Sequence, residues 1–280
     1  MGCPFSETGG KLMLWNIQNG TIELENAHMP YAAFGRGNRT LVLLPGLGDG
    51  LKTVRGMALP LAWLYRRFAR DFRVLVLSRK VPLKERSTTA DMAEDVALAL
   101  RKLGVQRAAV VGVSMGGMIA QHLAITYPEL VEKLVLTVTC PCPNPILEEA
   151  VDGWMDMARR GDHRALMVDN GRRIYSDDYL KKYGWMFPVT ARFTKPKSYR
   201  QFLIMAAACR SHDAREGLSS IRMPTLVIGG ERDNCLGGDA SRALAAHISH
   251  AQLKMYPQYG HGCYEEASDF QQTLLDFLRS

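Results

Sequence analysis

The chain has 280 residues and a formal net charge of +7 at pH 7, and 47% of its residues are hydrophobic. This composition fits a globular protein with one large domain, or one domain with an insertion, and excludes a disordered or low-complexity chain. The basic residues are dispersed, which argues against nucleic-acid binding, and no apolar stretch reaches the roughly 18 residues of a membrane-spanning helix.

The N-terminus lacks the charged region and apolar stretch of a secretory signal peptide. Gly2 and Cys3 fit the loose pattern for lipidation, but a six-residue pattern of this kind often occurs by chance. The six cysteines form no C-x-x-C pair, so they indicate neither a zinc site nor a redox motif. The sequence therefore predicts a cytoplasmic protein without stable membrane insertion.

The chain is expected to open with an antiparallel β-hairpin. Two candidate strands, over residues 11–18 and 21–25, flank Asn19-Gly20. This dipeptide is the strongest short signal for a hairpin turn.

Short apolar runs then alternate with segments of helical spacing. The uniform hydrophobicity of the runs is typical of strands buried on both faces of a parallel sheet. Thr88 and Asp91 resemble a capping box at the start of one helix. The alternation predicts an α/β sheet with helices on both faces. Candidate strands cover 41–44, 73–77, 108–113, 134–138, 225–228 and 252–256, and candidate helices cover 57–68, 92–103, 118–125, 238–247 and a final segment through Phe277.

The alternation breaks between Cys140 and about Ile221, where apolar residues recur at helical spacing. We predict a helical cap (lid) over residues 140–220, inserted into a core formed by 1–139 and 221–280. The segment is rich in Met and aromatic residues, most of which are expected to pack in the core. Some are expected to line a substrate pocket, with Trp154, Met155, Trp185 and Met205 as candidates.

Ser114 lies between a buried strand and a helix, in the pattern G-x-S-x-G. In that context the pattern is a nucleophile elbow, a tight turn that exposes the serine hydroxyl above the sheet. Gly112 and Gly116 are expected where side chains would collide with the turn. The plainer alternative is a glycine-rich turn with a capping serine.

The stretch LLPGLGDG, residues 43–50, follows an earlier strand. Its glycines Gly46 and Gly48 are expected to let the backbone bend toward the elbow. The N–H groups of Leu47 and Met115 then form a candidate oxyanion hole. Asp49 is interpreted as a turn or helix-cap residue. Arg79 has two interpretations, a contact for a substrate carboxylate and, favoured, a surface salt bridge.

Two further residues complete the candidate site. Asp233 follows the strand at 225–228, and His261 follows the last strand. The chain order serine, acid, histidine is the one expected for this elbow, and each residue falls at the carboxyl end of a strand. A serine hydroxyl needs a nearby base to attack, which favours a catalytic role for His261. Glu231 is the competing acid, expected to project from the other side of its turn.

With these motifs the chain resembles the α/β-hydrolase superfamily over nearly its whole length: PGLG loop, GVSMGG elbow, helical cap, GGERD turn and YGHG turn. The resemblance implies an eight-stranded, mostly parallel sheet with a lid after the sixth strand. It also implies Ser114, Asp233 and His261 as the triad. Many relatives have His-Gly at the start of the oxyanion loop, where this chain has Pro45-Gly46.

The sequence therefore predicts a serine hydrolase that cleaves a small or medium ester or thioester through an acyl-enzyme, without a metal or organic cofactor. C–C bond cleavage and aminopeptidase activity are alternatives on the same triad. An aminopeptidase would need acids near its substrate amine, for which Glu148, Glu149 and Asp152 are surface candidates. A receptor for a small molecule, with an idle triad, is an alternative of another class.

Overall fold

The centre of the molecule is an eight-stranded sheet, seen in a computed structural model that describes residues 15–280. The candidate lipidation site at Gly2 and Cys3 lies outside the described residues. The strands are β1 (Gln18–Leu24), β2 (Ala27–Phe34), β3 (Arg39–Leu44), β4 (Phe72–Leu77), β5 (Ala108–Val113), β6 (Val131–Thr137), β7 (Thr225–Gly230) and β8 (Gln252–Tyr256).

The strand order is β1-β2-β4-β3-β5-β6-β7-β8. β2 runs antiparallel to both β1 and β4, and all other neighbours are parallel. The predicted mostly parallel sheet is confirmed. β5 and β7 are buried along almost their whole length, because helices cover both faces of the sheet. The edge strand β8 is largely exposed, and its composition is accordingly more polar.

The predicted hairpin is wrong in the position of its turn. Asn19-Gly20 lies inside β1, and the chain reverses after Leu24, with Asn26 at a φ of 53°. Gly20 is needed for packing: it pairs with Tyr31, and a Cβ at this glycine would come within 2.2 Å of the tyrosine ring. Asn19 accepts a hydrogen bond from the backbone N–H of Ala58. Residues 11–14 of the predicted first strand lie outside the described part of the chain.

Helices flank the sheet and fill the interval between β6 and β7. No helix within residues 15–280 has the length and apolar character needed to cross a membrane. The helices are α1 (Ala58–Leu64), α2 (Thr89–Lys102), α3 (Met115–Thr126), α4 (Pro145–Arg159), α5 (His163–Ile174), α6 (Asp177–Tyr183), α7 (Met186–Thr194), α8 (Arg200–Arg210), α9 (Arg215–Leu218), α10 (Asp239–Ala246), α11 (Cys263–Glu266) and α12 (Phe270–Arg279).

Two hydrophobic clusters form the core, one on each face of the sheet. Side chains of α2, α3 and α10 belong to the first cluster, and those of α1 and α12 to the second. The predicted capping box starts α2: Thr88 Oγ1 accepts from the Asp91 N–H, and the Asp91 carboxylate accepts from the Thr88 N–H. Hydrogen bonds between residues close together in the chain thus set where α2 begins.

The segment between β6 and β7 is helical, from α4 to α9. Side-chain caps start several of its helices: Asn144 caps α4, Asp162 caps α5 and Ser176 caps α6. Burial is uneven along the segment. α4 and α8 bury several apolar residues, whereas α6 buries no residue fully and α7 buries only Ala191.

Candidate active site

Ser114 occupies a strained turn between β5 and α3. Its backbone has φ 54° and ψ −121°, a conformation that L-residues rarely adopt. A Cβ on Gly116 would lie 2.0 Å from the Leu44 carbonyl oxygen, and one on Gly112 would lie 2.4 Å from the Gly116 oxygen. Only glycine fits at these two positions, as the elbow pattern predicts. Ser114 itself is half-buried.

Asp233 and His261 form a buried hydrogen-bonded pair. The His261 Nδ1 and Asp233 Oδ2 atoms are 2.8 Å apart, and both side chains are at most 5% exposed. The other carboxylate oxygen, Oδ1, accepts from the backbone N–H groups of Cys235 and Leu236 at 2.7 and 2.9 Å. The competing acid, Glu231, pairs with Arg242 instead.

The three candidate triad residues all follow the carboxyl ends of strands, at the same end of the sheet. β5, β6 and β7 are consecutive parallel neighbours, so Ser114 and Asp233 follow strands about 10 Å apart. The loop after β8 returns over the end of β7, where a Cβ on Gly260 would lie 2.6 Å from the Arg232 oxygen. Within residues 15–280 the Ser114 hydroxyl makes no hydrogen bond, to His261 or to any other group. In unliganded enzymes this catalytic contact is often long and tightens when substrate binds.

The two candidate oxyanion donors lie on either side of the serine. Leu47 opens a short 3-10 helix, Leu47–Gly50, and Met115 is the first residue of α3. Neither backbone N–H donates a hydrogen bond within the described residues, as expected at a helix N-terminus. A Cβ on Gly46 would come within 3.3 Å of the Ser114 Cβ. At Gly48 a Cβ would meet open space, so no close contact requires glycine there.

A buried polar cluster supports the oxyanion loop, and sequence reasoning missed it. Asp49 is 5% exposed and accepts hydrogen bonds from Ser78 Oγ at 2.6 Å and from the Arg79 N–H at 2.7 Å. The Arg79 guanidinium donates to the Pro45 carbonyl oxygen, just before the candidate donor Leu47. The cluster thus ties the loop after β3 to the end of β4.

The structure corrects the interpretations of Asp49 and Arg79. Arg79 is 1% exposed, so it forms no surface salt bridge. Burial lowers the pKa of Arg79 and raises that of Asp49, and the charge of each residue opposes the shift of the other. Because both Asp49 oxygens accept hydrogen bonds, the geometry favours the carboxylate. The sequence does carry a signal for this cluster: an acid just after PGLG, and Ser-Arg directly after a buried strand. The signal becomes readable only once β3 and β4 are known to be neighbours.

The four candidate pocket residues occupy different surroundings. Trp154 is buried, and its Nε1 donates to Asp169. Met155 lines a cavity of about 650 Å³ between α4 and α8. Met205 is fully buried beside Gly50, under the oxyanion loop. Trp185 is 66% exposed.

The candidate amine-binding acids form ion pairs outside the site. Arg210 pairs with Glu148 and Asp152, and Arg173 pairs with Glu149. Their charges are already balanced by arginines at the surface of α4.

The helical segment contacts the histidine loop directly. The Gly262 N–H donates to the Ile174 carbonyl oxygen at 2.7 Å. Tyr175 donates its hydroxyl to Glu265 at 2.6 Å, and Ser176 bonds to Glu266. These contacts attach the end of α5 and the start of α6 to the loop that carries His261.

Asp233, Cys235 and His261 also place three potential metal-ligand atoms within 4.8 Å of one another. Both oxygens of the carboxylate already accept protein hydrogen bonds, one of them from the histidine. Hydrogen bonding therefore explains why these groups lie together. Burial raises the pKa of the Cys235 thiol, which disfavours the thiolate that a metal needs.

Known proteins match both the sequence and this architecture. A family model described as the alpha/beta hydrolase fold matches residues 39–169, which include the candidate oxyanion loop and the elbow. The chain has the α/β-hydrolase fold. The resemblance inferred from the motifs is thereby confirmed, and the protein is an α/β-hydrolase enzyme.

Two sequence relatives and one solved structure show what this chain is similar to. A carbamate hydrolase named RutD from Caulobacter sp. (strain K31) is 27% identical over 94% of this chain and 98% of its own. A 2-hydroxy-6-oxononadienedioate/2-hydroxy-6-oxononatrienedioate hydrolase from Pseudomonas sp. is 25% identical over 93% of this chain and 92% of its own. The enol-lactonase structure from Burkholderia xenovorans LB400 superposes with a TM-score of 0.78 at 22% identity, covering 93% of this chain and all of its own.

Proposed function

We propose that this α/β-hydrolase is a serine esterase or thioesterase that acts through an acyl-enzyme on a small or medium substrate. The observation that carries the proposal is the buried hydrogen bond between His261 and Asp233, at the sheet edge that also carries the Ser114 turn. A buried carboxylate bound to Nδ1 leaves Nε2 of the imidazole as the proton acceptor for a serine hydroxyl.

In the proposed reaction His261 removes the proton of the Ser114 hydroxyl as the serine oxygen attacks the substrate carbonyl carbon. The imidazolium then gives that proton to the leaving alcohol or thiol, and the acyl group stays on the serine. Asp233 orients the ring and stabilises its positive charge. Water, activated by the same histidine, releases the acid and restores the serine. This chemistry needs neither a metal nor an organic cofactor.

The N–H groups of Leu47 and Met115 are proposed to bind the oxyanion that forms at each step. Both are free of hydrogen bonds within the described chain, and Met115 lies at a helix N-terminus, where positive potential favours an anion. Arg79 and Asp49 are proposed to hold the Leu47 donor in place through the Pro45 carbonyl.

The substrate is proposed to lie between the elbow and the helical segment, which acts as the lid. Met155 lines the cavity between α4 and α8, whose walls include no candidate triad or oxyanion-loop residue. Met205 lies beside Gly50 of the proposed oxyanion loop. Apolar groups here favour an apolar acyl part. The enol-lactonase neighbour is consistent with an ester-type substrate.

Hydrolysis of a C–C bond next to a carbonyl is the second candidate. Its specific support is the relative from Pseudomonas sp. that aligns over nearly the whole chain and is named as a hydrolase of a 2-hydroxy-6-oxo dienedioate. The same serine and histidine would serve, with a carbon in place of the oxygen or sulfur leaving group.

Labelling with a fluorophosphonate and assays with p-nitrophenyl esters of increasing chain length test the proposal, with Ser114→Ala as the control. We expect the wild type to be labelled and to turn esters over, and Ser114→Ala to lose both. A 2-hydroxy-6-oxo dienedioate in the same assay separates the second candidate: turnover of this compound with inert esters would favour C–C cleavage. Folded wild-type protein that is neither labelled nor active would contradict both candidates.

A further inference from the structure

Helix α7 presents an apolar surface to solvent. Four side chains, which we call the α7 surface, are exposed by 41–85%, and Phe193 is the most exposed of them. Their spacing of i, i+1, i+4 and i+8 places them within an arc of about 100° of the helix. An exposed apolar patch of this kind commonly marks an interaction site. The α7 surface consists of Trp185, Met186, Val189 and Phe193.

Helix α7 makes little contact with the hydrophobic core. α7 buries only Ala191, and the helix it packs against most closely is α5. Folding therefore does not explain the apolar character of the outer face of α7, because polar side chains at these exposed positions would leave the fold equally stable.

Positive charge surrounds the α7 surface. Residues 179–200 contain six basic residues and no Asp or Glu. Two of the six are paired with acids outside this range, Lys181 with Asp178 and Arg200 with Glu85. Two small cavities, of about 340 and 270 Å³, lie along the flank of α7 that faces α5, and Arg164 lines both of them. Arg172 lines the first cavity, and Arg192 and Lys195 line the second together with one acid, Asp162. The six basic residues of the segment are Lys181, Lys182, Arg192, Lys195, Lys197 and Arg200.

We propose that the α7 surface docks onto a membrane rich in anionic phospholipid. Apolar side chains beside lysine and arginine are the composition of a helix that lies in the interface of a bilayer. The exposed side chains would enter the acyl boundary, and the surrounding cations would bind lipid phosphates. Such docking is peripheral, because the helix would lie on the bilayer and would not cross it.

The charge decides between a bilayer and a second copy of this chain. A symmetric dimer through α7 would bring together two segments in which four of the six cations have no ion-pair partner within the described residues, and like charges facing each other oppose association. An anionic bilayer instead complements both the apolar and the charged parts. The docking proposal does not depend on the chemistry at Ser114.

Sedimentation of the full-length protein with vesicles tests the proposal. One set of vesicles contains phosphatidylcholine alone, and the other contains phosphatidylcholine and phosphatidylglycerol in equal amounts. We expect binding to the anionic vesicles only, weakened by salt. The variant Val189→Ser/Phe193→Ser should bind about tenfold more weakly or worse, because it loses two inserting side chains. Ser114→Ala should bind as the wild type does, which separates this test from that of the proposed reaction.

A matched control carries the same kind of change elsewhere. Leu59 and Trp63 on α1 are 58% and 66% exposed, so Leu59→Ser/Trp63→Ser should leave vesicle binding unchanged. Lys195→Gln/Lys197→Gln should weaken binding by about fivefold for each charge, whereas Lys52→Gln/Lys84→Gln should have no effect.

Three results would overturn the proposal. The first is wild-type protein that does not bind the anionic vesicles or binds neutral ones equally. The second is equal loss of binding in the α7 variant and the α1 control. The third is a dimer in solution that Val189→Ser/Phe193→Ser dissociates, which would make the α7 surface a contact between copies. Thermal melting of each variant shows that it is folded.

Discussion

The loops at the carboxyl ends of the strands and the helical segment from α4 to α9 are held by different contacts. The loops depend on buried polar groups, such as Asp49 with Ser78 and Asp233 with His261. The helical segment carries its ion pairs at the surface, as between Arg210 and the acids of α4. Buried charges are costly unless their geometry is fully satisfied, whereas exposed pairs contribute little. The end of the sheet that carries the candidate triad is therefore expected to tolerate much less change than the helical segment from α4 to α9.

The two regions meet at the histidine loop. Gly262 directly follows His261, and Glu265 lies four residues after it in α11. They bond to Ile174 and Tyr175 at the end of α5. A change in the position of α5 therefore acts on the loop that carries the proposed base.

The largest effect is expected at the proposed acid. Asp233→Asn should lower kcat for ester hydrolysis by roughly 10⁴-fold, because the amide cannot stabilise the imidazolium and favours the wrong tautomer. Glu231→Gln, two residues away, should change kcat by no more than about twofold, because Glu231 pairs with Arg242 and not with His261. Steady-state kinetics of both variants provide the test. Equal losses would mean that Asp233 has no special role in the reaction.

A smaller effect is expected in the cluster under the oxyanion loop. Asp49→Asn removes the negative charge beside the buried Arg79, so the free energy of unfolding should fall by about 3–5 kcal/mol. Arg210→Gln, in the helical segment, should cost at most about 1 kcal/mol. Urea unfolding measures both values. If Asp49→Asn cost no more than Arg210→Gln, the contrast between the two regions would fail.

The third effect lies where the helical segment meets α2. His212 follows α8, is 1% exposed, and its Nδ1 lies 2.9 Å from Thr89 Oγ1. Burial, together with the nearby His122, lowers the pKa of His212 from its usual 6.5 to about 3, while Asp213 opposes the shift. The unfolded chain therefore binds a proton below about pH 6.5 that the folded protein takes up only near pH 3, so stability falls as the pH falls through this window.

Between pH 7 and pH 5 this histidine should remove about 2 kcal/mol of stability. The free energy of unfolding of His212→Gln should depend less on pH by this amount, although the variant is less stable than the wild type at pH 7. The exposed His247→Gln should keep the wild-type dependence. Urea unfolding at the two pH values decides: equal slopes for the wild type and His212→Gln would assign the pH dependence to other groups.

Local chemistry made the core of the sheet predictable. The runs that form β5 and β8 were placed at their observed bounds, and the capping box at Thr88 marked the start of α2. The turn of the first hairpin was misplaced because Asn19-Gly20 favours a turn locally, while pairing of Gly20 with Tyr31 keeps it in a strand. Contacts distant in sequence overrode the local preference.

The sequence by itself determined the alternation of strands and helices, the glycines of the elbow and the resemblance to the α/β-hydrolase superfamily. These depend on residues close together in the chain, where periodicity and missing side chains act directly. Only the tertiary structure decided that His261 pairs with Asp233, that Arg79 is buried under the oxyanion loop, and that α7 is exposed. Burial and partner choice depend on which strands and helices become neighbours, and that is fixed by packing across the whole molecule.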